Sequence, residues 1–450
     1  MKILICGAGQ VGYGIAEQLS IQKNDVTVID NSTDLINNIN KSLDVRTIKG
    51  NGSYPEVLDE AGAGDADVII AVTQFDEVNM VICHIAHILF NIPTKIARIR
   101  SNNFLNPEYE NLFTTDNIPI DVLISPEREI GESILKNLAL PGAFEILEFA
   151  DNKISLLGVS IGESFGLVDQ SLGSLTKQFP DVTCTVVGIN RDDEIIVPTQ
   201  KDVLRLDDKI YLICDSEHVK KVLTILGHRE TEAHNIIIAG AGNVGSYLAK
   251  SLESNNSNIN IKLIELNKEI AQRAATELGK SIVLNGNVLD KNLLDQAGIS
   301  RSDAFVALTN NDNVNLISSV IAKEMGSKQT LTLLTDSNYN DLQSKLEIDT
   351  FINPRATTIS SILRYLRRGR IRDAHSLYNG EIEVLEAEVV DASPLIGKTI
   401  REAGIPDGLR FGAILRKETV IRPDGNTRID KDIEYYGSQQ FYQHLNTEHV

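Results

Sequence analysis

The sequence predicts an α/β chain in which a doubly wound parallel-sheet domain, followed by a small α+β module, is written twice. Three observations lead there. The apolar run Ile3 to Cys6 leads into Gly7-Ala8-Gly9-Gln10-Val11-Gly12, and past the middle Ile236 to Ala239 leads into Gly240-Ala241-Gly242-Asn243-Val244-Gly245. In each copy the next apolar run ends in an acid, Asp30 after Val26 to Ile29 and Glu265 after Ile261 to Ile264. Later landmarks repeat at nearly constant offset: Asn51 with Asn287, Ala61-Gly62 with Ala297-Gly298, Asp67 with Asp303, Asp76 and Asn79 with Asp312 and Asn315, and Ser125-Pro126 with Asn353-Pro354. Repetition over that length points to tandem duplication of one unit.

In chain order, short apolar runs at Lys2 to Cys6, Asp25 to Ile29, Arg46 to Lys49, Val68 to Ala71 and Lys95 to Ile99 read as strands alternating with amphipathic helices, the βαβ pattern of a parallel sheet. A sixth strand, Val122 to Ile124, runs into Ser125-Pro126 and a helix over Glu127 to Asn137. From about Ala143 to Gly227 the punctuation changes, with alternating runs at Lys153 to Ile161, Val182 to Ile189, Glu194 to Val197 and Lys209 to Cys214 around a helix at Ser171 to Phe179. That composition suits a compact α+β module. After a polar link, Gly227 to Asn235, the order repeats. The domains expected are 1–124 and 233–352 for the nucleotide-type sheets and 140–227 and 372–450 for the modules. The last strand expected, Asp432 to Tyr436, is poorly apolar beside Lys209 to Cys214, and Gln439 to Val450 is polar.

The bulk numbers exclude several classes. A chain of 450 residues with a formal charge of −19 repels nucleic-acid backbones and anionic membranes over most of its surface. Cys6, Cys83, Cys184 and Cys214 lie in apolar stretches without a paired spacing, as reduced thiols of a cytosolic protein do. The first residues read as a core strand, which argues against a secretory signal. The longest apolar run, Val78 to Ile92, is interrupted by Asn79, His84, His87 and Asn91 and is too short for a membrane span. Any membrane role is expected to come through a partner.

The glycine motif follows a strand, opens a helix and has its acid about twenty positions on, the context of a Rossmann-like dinucleotide fingerprint. The first two glycines let the backbone turn and approach a diphosphate, the third lets helix pack on strand, and the helix N-terminus favours the anion. Asp30 and Glu265 would accept hydrogen bonds from ribose hydroxyls and repel a 2′-phosphate, so NAD(H) or an adenine nucleotide is favoured over NADP. The plain alternative is a domain that has kept its turn without its ligand. Thr73-Gln74 and Thr309-Asn310 end the fourth strands, where ligands of open sheets sit, although loop and cap chemistry uses the same residue types. Arg98 and Arg100 end the fifth strand of the first copy and would pair with phosphate, or else form an exposed strand end. Counted at constant offset, their counterparts are Leu334 and Asp336, so the second site lacks that contact. Cys83, His84 and His87 share one predicted helix but lack the further ligands of a metal site, and packing is the preferred reading. The basic cluster Arg364, Arg367, Arg368, Arg370 and Arg372, with Gly369, is explained by a helix C-terminus or by contact with an acidic partner.

A dehydrogenase needs an acid/base group beside the nicotinamide. In the β-rich module and its links, where a substrate domain would stand, the only histidines are His218, His228 and His234, and no P-loop lysine motif is present in the chain. Two nucleotide sites without local chemistry suggest sensing, with a soluble NAD-dependent oxidoreductase as the competing reading and a ligand-free scaffold as a third.

Residues GAGQVGYGIAEQL, the Asp30 strand end, the GNG turn at Gly50, AGAGDADVIIAVT and KIARIR closely resemble the N-terminal half of RCK (or KTN) domains. Their pairing with a small C-terminal module, twice, resembles the TrkA-type regulatory subunits of bacterial Trk potassium uptake systems over nearly the whole chain. The resemblance implies a non-enzymatic cytoplasmic protein, peripheral to the inner face of the membrane, that binds NAD(H), and in some members ATP or ADP. It implies a homo-oligomeric ring that gates a membrane potassium-translocating subunit. By motif position its binding residues fall on Gly7 to Val11, Asp30, Thr73, Gln74 and Arg98, and on Gly240 to Val244 and Glu265.

Overall fold

The computed structural model describes residues 1–101, 103–192, 194–228, 232–255, 258–336, 339, 346–366, 371–377, 382–389, 393–406, 408–430 and 433–440. These form two compact units, one made of 1–132 with 235–366 and the other of 133–234 with 367–450.

The first unit holds both parallel sheets. In chain order its first half runs β1 (Lys2–Cys6), α1 (Gln10–Ile21), β2 (Asp25–Asp30), α2 (Thr33–Ser42), β3 (Arg46–Lys49), α3 (Pro55–Glu60), β4 (Val68–Ala71), α4 (Asp76–Phe90), β5 (Thr94–Arg98), β6 (Val122–Ile124) and the start of α5 (Pro126–Ala139). The sheet order is β3-β2-β1-β4-β5-β6. The order reverses between β1 and β4, so their carboxyl ends open a crevice, and the glycine loop hangs there. β1 is flanked on both sides by parallel neighbours, and Ile3, Leu4, Ile5 and Cys6 are all buried because both faces of the sheet are covered.

The other unit begins with β7 (Ala143–Phe149), β8 (Ile154–Ser160), α6 (Leu172–Gln178), β9 (Cys184–Arg191), β10 (Glu194–Ile196), β11 (Lys209–Asp215) and α7 (Val219–Ile225). Ser171 caps α6, its hydroxyl accepting from the Ser174 amide. The antiparallel sheet β10-β9-β11-β8-β7 carries the helices over a core that includes Leu157, Val159, Ile210, Leu212 and Val222. β7 and α7 are not expected from the sequence. β7 lacks clean alternation because apolar residues serve both its faces: Ala143 and Ile146 join the helix-side core, Phe149 the opposite one.

The first unit continues with β12 (Asn235–Ala239), α8 (Asn243–Asn255), β13 (Asn260–Glu265), α9 (Lys268–Glu277), β14 (Ile282–Asn285), α10 (Lys291–Ala297), β15 (Ala304–Ala307), α11 (Asp312–Glu324), β16 (Gln329–Leu333), β17 (Thr350–Ile352) and α12 (Pro354–Leu366). Its sheet, β14-β13-β12-β15-β16-β17, repeats the first. The last helix of the second copy packs on the first. Ile362, Leu363 and Leu366 of α12 pack into the core of the first copy with Ile15, Leu19 and Val28. No helix among the described residues is long and apolar enough to cross a membrane.

The second unit is completed by β18 (Ile371–Leu377), β19 (Ile382–Glu388), β20 (Leu409–Arg416), β21 (Thr419–Ile421) and β22 (Ile433–Gln440). The order β18-β19-β22-β20-β21 repeats that of the first module strand for strand. The weak last strand is thus present and central: β22 begins at Ile433, Asp432 lying outside the described residues, and pairs with both β19 and β20. Backbone ladders on two sides satisfy its amides and carbonyls whatever its side chains are. The tail from 441 lies outside the described residues. So do Arg367, Arg368, Gly369 and Arg370 of the basic cluster, and the side chains of Arg364 in α12 and Arg372 in β18. The sheets of the two modules share a core in which Phe149, Leu156, Tyr211 and Ile213 meet Leu377, Val384 and Ala413.

Glu145 of β7 lies opposite Gly158 in this fold, and burial pushes its carboxyl from the usual 4.5 to about 7. A raised folded value means that the protonated form is favoured on folding. Its stabilisation is therefore complete below pH 4.5 and is lost as pH rises through 7, on the order of 2 kcal/mol for a partly exposed group. Glu145→Gln should flatten the pH dependence of melting between those limits and raise the melting temperature at pH 8; an unchanged profile would refute the assignment.

Candidate functional site

Both glycine loops are shaped by steric necessity. Gly7 has φ +114° and Gly240 φ +100°; a Cβ would meet the Val72 carbonyl oxygen at 2.9 Å and that of Leu308 at 2.8 Å. At Gly12 and Gly245 a Cβ would collide with the carbonyls of Gly7 and Gly240, so α1 and α8 start flush against the loop only with glycine there. Nothing lies within 4 Å of where a Cβ would stand at Gly9 or Gly242. The middle glycine therefore leaves open space in front of the helix, and no side chain caps α1.

The acids hold these loops. Asp30 Oδ2 accepts from the Ala8 amide at 2.7 Å and Oδ1 from the Ser32 amide at 2.8 Å. Glu265 Oε2 accepts from the Ala241 amide and Oε1 from the Asn267 amide, both at 2.8 Å. Each carboxylate therefore orients its own loop and keeps lone pairs for a ligand hydroxyl.

A second brace escapes the sequence reading as a site feature. Asn79, fully buried in the first turn of α4, accepts from the Thr73 amide at 2.9 Å and hydroxyl at 2.7 Å and donates to the Arg98 carbonyl at 2.8 Å. Asn315 makes the same bonds to Thr309 and to the Leu333 carbonyl. Asp76 accepts from the amides of Arg100 and Ser101, and Asp312 from those of Thr335 and Asp336. These four residues tie the ends of the fourth and fifth strands together; the signal for them was their recurrence at one offset in both copies.

The brace also corrects the correspondence between copies. Because Asn79 meets Arg98 and Asn315 meets Leu333, and Ile124 pairs with Arg98 as Ile352 does with Leu333, the counterpart of Arg98 is Leu333 rather than Leu334. That of Arg100 is Thr335 rather than Asp336. The offset slips by one in the helix before the fifth strand, where the left-handed residue is Asn91 after α4 and Gly326 after α11.

One cleft of about 1090 Å³ receives residues of both copies. From the first come Gly7, Gly9, Gln10, Val11, Asp30, Thr73, Gln74, Arg98 and Arg100, and from the second Gly242, Asn243, Val244, Thr309, Asn310, Leu333 and Thr335, with Arg273 and Arg355. Ala8, Gly12, Gly240, Ala241 and Glu265 do not line it.

The cleft's cations are unequal. The Arg100 guanidinium pairs with the buried Glu127 at 3.1 Å. Arg98 donates to the Thr73 carbonyl at 2.8 Å, its Nε is buried without a partner, and no carboxylate stands within ion-pair distance of it among the described residues. Burial, and then the charge of Arg100, lowers its proton affinity. Such a guanidinium is poised for an anion. Cys6, beside the loop, is buried and its thiol is pushed far up, and burial pushes Cys83 to about 12, so neither supplies a thiolate. The Cys83 thiol faces the Ile96 carbonyl at 3.9 Å and is a packing residue. In the α+β module His218 accepts from the Thr183 amide at 3.2 Å, and the His228 ring meets the Ser160 carbonyl at 3.0 Å, both tying backbone segments together.

Comparison with known proteins agrees with this architecture. The TrkA-N domain model matches residues 3–126 and 236–354, and the TrkA-C domain model matches 156–227 and 384–432. The Trk system potassium uptake protein TrkA of Azorhizobium caulinodans is 45% identical over 427 residues, covering 95% of this chain and 93% of that protein. The protein of the same name from Vibrio alginolyticus is 38% identical over 96% of this chain and 94% of its own length. Among solved structures the GsuK RCK domain superposes with a TM-score of 0.61 at 17% identity, over 98% of this chain and 93% of that one, which shows the shared fold. With two TrkA-N and two TrkA-C domains in tandem and relatives of that identity along nearly its whole length, the chain belongs to the TrkA family of Trk system potassium uptake proteins.

Proposed function

We propose that the chain is a nucleotide-sensing regulatory subunit that binds NAD(H), or in its place ATP or ADP, and gates a membrane potassium-translocating subunit from the cytoplasmic side as a homo-oligomeric ring. The observation that carries the nucleotide reading is the Arg98 guanidinium, without a carboxylate partner among the described residues, lining a cleft that also holds an open helix N-terminus behind Gly9 and the carboxylate of Asp30. Those groups answer the phosphates and the ribose of one dinucleotide. The family's potassium uptake name supplies the process, and a GsuK channel structure described as bound to NAD, with TM-score 0.62 at 16% identity, is compatible with the ligand.

A ligand in the cleft touches both copies, so it favours whichever opening of the cleft fits it. It shifts that equilibrium only by its differential affinity for the two shapes. The first copy is the stronger receptor, since Leu333 and Thr335 stand where it has Arg98 and Arg100.

Calorimetric titration of NAD, NADH, ATP and ADP should find one saturable site per chain. Arg98→Ala should weaken binding by about tenfold to a hundredfold, the worth of a charge-assisted hydrogen bond or two, and Asp30→Ala by a similar factor. Glu265→Ala should leave that affinity within about threefold, because its carboxylate does not line the cleft. Two equivalent sites, or no effect of Arg98→Ala, would refute the asymmetry. NADH absorbance should stay constant in the presence of candidate carbonyl substrates; steady turnover would replace this reading with an oxidoreductase. In cells lacking the chain, potassium uptake should return with the natural sequence and lose its nucleotide dependence with Arg98→Ala.

A further inference from the structure

We propose that the interface between the two Rossmann domains is coded by side-chain size for unlike pairing, so that a first-copy domain fits a second-copy domain and neither fits its own kind. The interface is made twice. In one contact Gly14 of α1 faces α12: a Cβ there would fall inside the radius of the Ile359 Cδ1 and stand 3.3 Å from an Arg355 Nη, while the Arg355 guanidinium lies 5.9 Å over the Tyr13 ring. In the other, Gly131 of α5 faces α8: a Cβ there would stand 2.6 Å from the Tyr247 Cε1, and the Tyr247 hydroxyl donates to Glu132 Oε1 at 2.6 Å.

These are one contact seen from opposite sides of the duplication. Gly14 and Tyr247 occupy the same place after the first glycine of their loops, Gly7 and Gly240, and Gly131 and Ile359 the same place after the prolines that open their helices, Pro126 and Pro354. Both glycines belong to the first copy and both bulky residues to the second. Pairing two first copies would set Gly14 against Gly131 at both contacts and leave voids where Ile359 and Tyr247 now sit. Pairing two second copies would drive Tyr247 into Ile359 twice, where the rigid Tyr247 ring and the Ile359 tip now each lie against a glycine. Such a device rejects wrong partners by volume, as specific interfaces do. It holds whatever the cleft binds.

Reversing one contact tests the code. Gly131→Tyr with Tyr247→Gly keeps one large and one small residue at each contact within the chain. It also makes each copy complementary to itself, since Gly14 then faces the new tyrosine and Ile359 the new glycine. In the full-length chain Gly131→Tyr alone should lower the melting temperature and the double variant should recover most of the loss. Carrying Tyr13→Cys, Arg355→Cys and Cys184→Ser, the natural pairing should give a within-chain cross-link with a short bismaleimide. In the reversed variant, where like and unlike pairs become comparable, that yield should fall about twofold and native mass spectrometry should show added species joined through like copies. A reversed variant with the natural cross-link yield and mass distribution overturns the proposal. Gly14→Ile with Ile359→Gly reverses the other contact and carries the same expectation. If neither double variant recovers the melting temperature lost by its single bulky substitution, the contacts are not complementary by size and the proposal falls.

Discussion

At the end of the second strand of each copy a carboxylate accepts a hydrogen bond from an amide of the glycine loop, Asp30 from Ala8 and Glu265 from Ala241. That bond joins two demands. The loop must turn at a positive-φ glycine and start its helix against the strand, and the acid must hold that turn from the neighbouring strand end, where in the first copy it also lines the cleft. With the loop so held, the helix N-terminus opens onto the carboxyl ends of the strands. The Asn79 and Asn315 braces then place the neighbouring strand ends around it. Cleft, cations and interface all build outward from this frame.

Duplication has kept the frame and changed what it serves. The backbone-directed residues recur: the glycines, the acids, Asp76 with Asp312, and Asn79 with Asn315. The residues that face the cleft diverge, with Arg98 and Arg100 in one copy and Leu333 and Thr335 in the other, and both copies open into a single cleft. Two unlike strand ends on one cleft are what the proposed ligand-driven change of shape requires, because a ligand held by one copy would still touch the other.

Much of this was legible in the sequence, for a physical reason in each case. Strands buried on both faces are continuous apolar runs, so β1, β2 and β4 could be read directly, and a glycine motif between strand and helix fixes a local geometry that no other residue permits. What misled was counting at constant offset. The loss of one residue in a helical turn leaves the composition unchanged but moves Arg98 onto Leu333, and the Asn315 hydrogen bond, the Leu333–Ile352 pairing and the Asp312 cap of Thr335 reveal it. β22 was underrated because its stability as a strand rests on two backbone ladders rather than on apolar alternation, and β7 was missed because it is apolar toward both faces.

The sequence by itself determined the two parallel sheets, the chain order of their strands, the identity of the loop glycines and acids, and the absence of an arginine pair from the second copy, since each follows from local sterics or from direct comparison of the repeats. Only the tertiary structure decided that the two loops share one cleft, that α12 completes the core of the first copy, and that Gly14 and Gly131 receive Ile359 and Tyr247. Those are contacts between residues more than a hundred positions apart. No local pattern encodes them, because their energy comes from volumes that meet only when both copies are folded against each other.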